Sequence, residues 1–184
     1  MTSKAGFPSA FRRGLTVLAA AAAIGAAAPS AVPPSQAAAS GVTHDGYLKA
    51  GFDLLGAFEL KVPNEDGSFP APAALKEVMA GIPSGVRKLD GQRVIVTGYM
   101  LPLKMNGSRV TEFLLVSSPM LCCYGMTPRL NDWVVVKMPD TGTSILMDSP
   151  IQFYGRLHVQ AINADGMLGG IYRLDGEKMG DGLD

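Results

Sequence analysis

The spacing of apolar positions changes character along the 184 residues, and each change predicts a different kind of element. From Gly14 to Ala28 the chain is an almost unbroken alanine-rich apolar run, closed by Pro29, Pro33 and Pro34. Between Tyr47 and Leu55 apolar residues recur at positions 47, 48, 52 and 55, a helical spacing that predicts one short helix. Val62 to Pro70 is polar and turn-forming, and Ala73 to Met79 predicts a second short helix ended by Gly81 and Pro83. From Leu89 onward the period is two. The β-branched run Gln92–Tyr99 follows an Asp90-Gly91 turn, and further strands are predicted at Glu112–Val116, Trp133–Met138, Ile151–Gln160 and Gly169–Leu174.

Five short strands with intervening loops fit a small closed or partly open barrel better than a sandwich, which usually needs about seven. Gly98, near the end of the first strand, and Gly155, inside the fourth, stand where a strongly coiled sheet has to bend. There is no internal repeat and no alternation of strand and helix. The expected fold class is mostly β with short N-terminal helices, organised as a leader over 1–39, a helical and loop segment over 40–81 and a β-barrel domain over 82–184.

The leader changes the picture of where the protein works. Lys4, Arg12 and Arg13 precede the apolar run and no acidic residue occurs before Asp45, the anatomy of a secretory signal peptide. The run is short of a membrane span of about 20 strongly apolar residues, and the prolines stop its continuation. Small residues place the expected start of the mature chain between Ala38 and Ser40, and no cysteine before Cys122 offers a lipid attachment site. Arg12-Arg13 fits an ordinary export signal and also the twin-arginine route. The expected location is periplasmic or otherwise extracytoplasmic, without a permanent membrane anchor. Acidic and basic residues number 16 each, so loss of three basic ones leaves the mature domain at −3, which argues against nucleic acid as a partner.

Zinc-protease helices, phosphate loops, dinucleotide glycine fingerprints, zinc ribbons and nucleophile elbows are all absent from the sequence. The one unusual feature is the loop Pro119-Met120-Leu121-Cys122-Cys123-Tyr124-Gly125-Met126-Thr127-Pro128-Arg129-Leu130-Asn131-Asp132, which holds both cysteines side by side. Three readings stay open for the pair. The thiols are packing groups, or they bind a soft metal, because thiolates with the neighbouring thioethers of Met120 and Met126 suit Cu(I) or Zn(II). Alternatively they form a strained, redox-active vicinal disulfide.

Further ligands are scarce, since the only histidines are His44 and His158. Alternation places His158 with Tyr154 and Arg156 on the polar face of its strand, opposite Phe153, Leu157 and Val159. An exposed, unpartnered side chain is the plainer expectation there, and His158 is also the first choice for a third ligand. The ten methionines, Met100 and Met105 among them, read first as core filler, and Arg129 and Asn131 as surface turn residues.

Taken together, Ile82-Pro83, Val86, Leu89-Asp90-Gly91, Val94, Gly98-Tyr99-Met100-Leu101-Pro102, Glu112–Val116, the cysteine loop with Pro128 and Asn131, Val134, Val136 and Ile151–Gly155 resemble the bacterial exported family known as domain of unknown function 3299. The resemblance covers residues 82 to 155. It implies an OB-like fold, no established enzymatic activity, and ABC-transporter components as partners in metal uptake. Many members carry a Cys-x-His pair ahead of the proline and asparagine. Here Cys122 takes the cysteine position and Tyr124 the histidine position, so either Cys123 substitutes as ligand or the metal role does not carry over.

The sequence therefore leads to an exported, non-catalytic protein that binds or hands on Zn or Cu for a membrane transporter, with Cys122, Cys123, His158, Met120 and Met126 as metal ligands. A structural docking module with incidental cysteines, and a thiol redox protein or enzyme using His158, are the alternatives. Adjacent Cα atoms lie about 3.8 Å apart, below the 4.4–6.8 Å of ordinary disulfides, so a Cys122–Cys123 bridge is strained and easily reduced. The two thiols are expected to be free or metal-bound in exported protein. Intact-mass spectrometry after alkylation without reductant tests this: a mass two hydrogens light, with neither cysteine alkylated, would show the bridge to be the resting state.

Overall fold

A computed structural model describes residues 45–64, 66–122 and 129–180, apart from the side chains of Leu121 and Cys122. The expected leader and cleavage site lie outside these residues. In chain order the elements are β1 (Leu48–Lys49), α1 (Phe52–Leu55), α2 (Pro72–Ala80), α3 (Ser84–Arg87), β2 (Arg93–Asn106), β3 (Arg109–Val116), β4 (Trp133–Lys137), β5 (Ile151–Ala164) and β6 (Met167–Met179). The five predicted strands are β2 to β6, and all but β4 run longer than their patterns indicated.

These five strands form a ring. β2 pairs with β3, β3 with β4, β4 with β6, β6 with β5, and β5 returns to β2. Only the β4–β6 pair is parallel. The mostly-β class with short N-terminal helices holds, and the five expected strands close into a ring. The ring closes because β2 has two partners in succession. Arg93 to Gly98 pair with β5, and from Tyr99 onward the same strand pairs with β3.

Gly98 sits at that hand-over, and a Cβ there would lie 2.6 Å from the Val116 carbonyl and 2.9 Å from the Leu115 side chain. Gly155 is equally constrained: a Cβ would meet the Asp175 carbonyl at 2.3 Å, beside a register shift between β5 and β6. Both predicted bend glycines are thus explained by close backbone approach.

Alternation fills the interior. Phe153, Leu157 and Val159 of β5 point inward as expected, with Val94, Val96 and Met100 of β2, Phe113 and Leu115 of β3, Val134 and Val136 of β4, and Ile171 and Leu174 of β6. The Phe113 and Phe153 rings stack at 4.6 Å between centroids with a 50° tilt. The N-terminal segment packs on this same core through Ala50, Leu55, Ile82, Val86 and Leu89. α2 begins with proline in its first turn and ends at Gly81, in agreement with its pattern. The predicted Tyr47–Leu55 helix is corrected. Leu48 and Lys49 pair in parallel with Val94 and Ile95, and the helix starts only after Gly51. The half of β2 that β3 does not reach has an open edge there, and satisfying its backbone groups outweighs a four-residue helical spacing.

Tyr47 holds this strand in place. Its hydroxyl donates to Glu177 Oε2 at 2.6 Å, Glu177 pairs with Arg93 at 2.6 Å, and the Arg93 guanidinium covers the Tyr47 ring at 4.2 Å. The Tyr154 ring meets Tyr47 edge-on at 5.0 Å. Hydrogen bonds from Arg93 and Tyr47 hold the Glu177 carboxyl below its ordinary pKa.

Ring closure at Gly98 gives a direct test. Gly98→Val should destabilise the domain by about 1–3 kcal/mol or more, the usual range for overpacking, read as a lower urea midpoint with unchanged slope. An unchanged midpoint would mean that β2 does not make the tight hand-over described.

Candidate functional site

The loop that carries the cysteines leaves the end of β3 and returns at the start of β4, so the closed sheet fixes both of its ends. On the outgoing side, residues Pro119–Cys122 form a single 3-10 turn, opened by the Met120 N–H donating to Ser118 Oγ at 3.2 Å. The Met120 side chain is about half exposed, at 49%. Cys123, Tyr124 and Met126 lie outside the described residues, as does the side chain of Cys122.

The returning stem is built more firmly. The Arg129 N–H and Nε both donate to Asp132 Oδ2, at 2.9 and 3.1 Å, and Nη2 donates to Asp132 Oδ1 at 2.7 Å. The Asp132 N–H closes the turn on the Arg129 carbonyl at 2.9 Å. Burial alone raises the Asp132 pKa, but the side-chain and backbone hydrogen bonds from Arg129 outweigh it and hold the carboxyl below its ordinary value.

This stem is fastened to the turn that follows α1. A helix end leaves carbonyls without partners, and here side chains from elsewhere supply them. The Tyr172 hydroxyl donates to the Leu55 carbonyl at 2.9 Å, Arg129 Nη2 to the Gly56 carbonyl at 3.0 Å, and Asn131 Nδ2 to the Phe58 carbonyl at 2.7 Å. Gly56 permits the approach, since a Cβ there would lie 3.4 Å from Asp132 Oδ1 and 3.0 Å from the Phe52 carbonyl. Asn131 is completely buried, which corrects its reading as a surface turn residue. No spacing in the sequence marks that burial, because the surface that covers Asn131 comes from more than 70 residues away. The Arg129–Asp132 pair, by contrast, has the i, i+3 spacing of a tight turn.

His158 is not the isolated side chain expected. It is half-buried on the outer face of β5, and its Nε2 lies 2.9 Å from Asp175 Oδ2 on β6. Arg173 adds its Nε at 3.1 Å from Asp175 Oδ1, a Coulombic contact without hydrogen-bond alignment. A carboxylate on one ring nitrogen leaves Nδ1 for a proton or a metal. The described residues thus join His158 to an acid and a guanidinium rather than to a sulfur. Among them, no group of three or more His, Cys, Asp or Glu side chains is arranged to hold a metal ion.

Met100 is core, fully buried, while Met105 is exposed near the tip of the β2–β3 hairpin. A groove of about 420 Å³ begins one residue beyond the stem's anchor at Phe58, lined by Glu59, Lys61, Val62, Pro63 and α2 residues that include Glu77 and Val78. No helix among the described residues is long and apolar enough to cross a membrane.

Residues 71–180 match the model of a family described as protein of unknown function, DUF3299. Among solved structures, the chain is similar to the crystal structure of a DUF3299 family protein from Pseudomonas aeruginosa PAO1. Identity is 26%, the match covers 71% of this chain and 93% of that one, and the TM-score is 0.49. No curated protein matches the chain.

The stem's electrostatics predict a pH signature. Asp132 has a folded pKa below its unfolded value of about 3.8, so its contribution is fully present above that pH and is lost as pH falls through the folded value. Asp132→Asn is expected to lower the thermal midpoint at neutral pH, with the gap to wild type closing below about pH 3.8. A gap that persists undiminished at pH 2 would show that the carboxylate's charge is not what holds the stem.

Proposed function

We propose that this chain, which belongs to the DUF3299 family, is an exported, non-catalytic protein that binds a soft metal ion, Zn(II) or Cu(I), through Cys122 and Cys123 and serves as an accessory of a membrane transporter. The observation that carries the reading is the anchoring of the loop that presents the two cysteines. Five hydrogen bonds made by Arg129 and Asn131, four from their side chains and one from the Arg129 backbone N–H, tie the stem together at Asp132 and to the turn after α1. Thiolates suit a soft cation, and the exposed Met120 thioether stands two residues before Cys122 in the sequence. His158, oriented by Asp175, would join as a second-row donor through Nδ1. Met126 would complete the sulfur set.

The docking-module alternative is supported by a separate observation. Five exposed large apolar side chains, Leu103, Met105, Ile145, Leu146 and Met147, occur on the β2–β3 hairpin and just beyond residues 141–144, which Arg109 and Val110 hold against the start of β3.

One experiment separates the two. Reduced mature protein is given Zn(II) or Cu(I), freed of excess by gel filtration and analysed for metal. About one equivalent, lost in the Cys122→Ser/Cys123→Ser variant, is expected for a thiolate site. Well under one equivalent of either ion on the wild-type protein overturns the metal reading and leaves the docking one.

A further inference from the structure

One edge of β2 is taken by β1 at Val94 and Ile95 and then by β3 from Tyr99 to Asn106. The other is taken by β5 from Arg93 to Gly98, where β5 begins at Ile151. Past Gly98 this second edge continues to Asn106 with no strand on it among the described residues.

Alternation decides which backbone groups face it. The Gln92 carbonyl accepts from the Leu157 N–H of β5 and the Ile95 carbonyl from the Ala50 N–H, so even-numbered residues of β2 face the β5 edge and odd-numbered ones the opposite edge. β2 and β3 keep one register from Tyr99 to Pro102. Met100 therefore turns its N–H and carbonyl, and Pro102 its carbonyl, to the uncovered edge, and no backbone partner for them occurs among the described residues. A proline inside a 14-residue strand is thereby explained, because it is tolerated where its missing N–H would face no neighbour. After a register shift the Lys104 carbonyl faces β3, accepting from the Thr111 hydroxyl at 3.4 Å, and Met105 turns back to the uncovered edge.

The side chains around this edge are apolar and about half exposed: Leu103 and Met105 on the hairpin, and Ile145, Leu146 and Met147. The two groups adjoin. Met105 pairs with Val110, Val110 bridges to Thr143 two residues before Ile145, and Met147 is four residues before Ile151, the partner of Gly98. At the hairpin's end Arg109 donates to the Thr141 and Gly142 carbonyls, and it has no carboxylate in ion-pair range among the described residues.

We infer that the edge of β2 from Met100 to Met105 docks an extended segment of a partner protein. The segment adds as a strand through backbone hydrogen bonds, rests alternate apolar side chains on Leu103, Met105 and Ile145–Met147, and brings a carboxylate to Arg109. A second copy is a poor occupant, since Pro102 offers no N–H to a like edge and charged Lys104 stands beside it, the two devices that keep equal edges from pairing. Lipid is a poor one too, because acyl chains leave the Met100 and Met105 backbone groups without partners. The inference goes beyond the metal reading, requires no metal, and gives the docking reading its partner chemistry.

The probe is a short fluorescein-labelled peptide of alternating Val and Thr ending in two Glu, added to metal-free, reduced mature protein. Binding is read by fluorescence anisotropy and backbone protection by hydrogen-exchange NMR. Saturable binding is expected, with the Met100 and Met105 amides exchanging about tenfold slower in the complex and affinity about tenfold lower in Leu103→Ser/Met105→Ser. N-methylation of alternate probe residues is expected to abolish binding in one frame and spare it in the other, because only one edge of the added strand faces β2. That comparison needs no protein variant. No binding, binding retained in both frames, or unprotected Met100 and Met105 amides in the complex overturns the inference. So does a dimer in sedimentation whose Met100 and Met105 amides are protected without probe, which assigns the edge to a second copy. Binding to phosphatidylglycerol vesicles that Leu103→Ser/Met105→Ser abolishes, without binding of the peptide, overturns it in favour of lipid. None of these outcomes depends on uptake of Zn(II) or Cu(I).

Discussion

The hand-over of β2 from one partner to another at Gly98 is the constraint on which the rest of the architecture depends. A sheet in which β2 paired with β3 alone would stay open at both edges. Here β2 pairs with β5 through Gly98 and with β3 from Tyr99, and the five strands close on themselves. The closure works only if the backbone of β3 can pass beside residue 98, and the Val116 carbonyl stands where a Cβ would be. Three consequences follow. The inward-facing side chains of all five strands share one core. The first half of β2 is left with a free edge, which β1 covers. And β3 ends at Val116, beside Trp133 of β4, so that the cysteine loop springs from a fixed base.

The N-terminal segment is an integral partner of that base. Its buried residues, Ala50 and Leu55 among them, belong to the same core as the strands, and the turn at the end of α1 offers three carbonyls to side chains from β6 and from the loop stem. A helix of four residues contributes little by propensity alone. Its role is to end at the right place, where the carbonyls of Leu55, Gly56 and Phe58 at and just beyond its end become acceptors for Tyr172, Arg129 and Asn131. Burial raises the pKa of the Tyr172 hydroxyl, keeping it in the neutral form that donates. The returning stem of the loop is therefore held by a segment 73 residues earlier in the chain.

Period-two alternation was enough to find β2 to β6 and to put Phe153, Leu157 and Val159 inside, because a half-buried strand writes its environment into every second residue. Gly98 and Gly155 were readable as bends for the same reason: a glycine within an alternating run has no other common explanation. The cysteine loop stood out through residue type alone, since adjacent cysteines are rare and their chemistry is local. Sequence also sufficed to identify the family, through a combination of short motifs spread over residues 82 to 155.

What tertiary structure alone decided involves partners distant in the chain. Tyr47 and Leu48 open a helical spacing, yet Leu48 and Lys49 lie as a strand because β2 offers an unpaired edge that no local pattern reports. His158 has the sequence context of a solvent-facing side chain and gains Asp175 and Arg173 only through the register of β5 on β6. Asn131 has the composition of a turn residue and becomes wholly buried because the turn after α1 closes over it. Local pattern determines which residues face inward along one element, since that is set by the geometry of a single strand or helix. Which polar groups meet across elements is set by how the ring closes, and that depends on the whole chain at once.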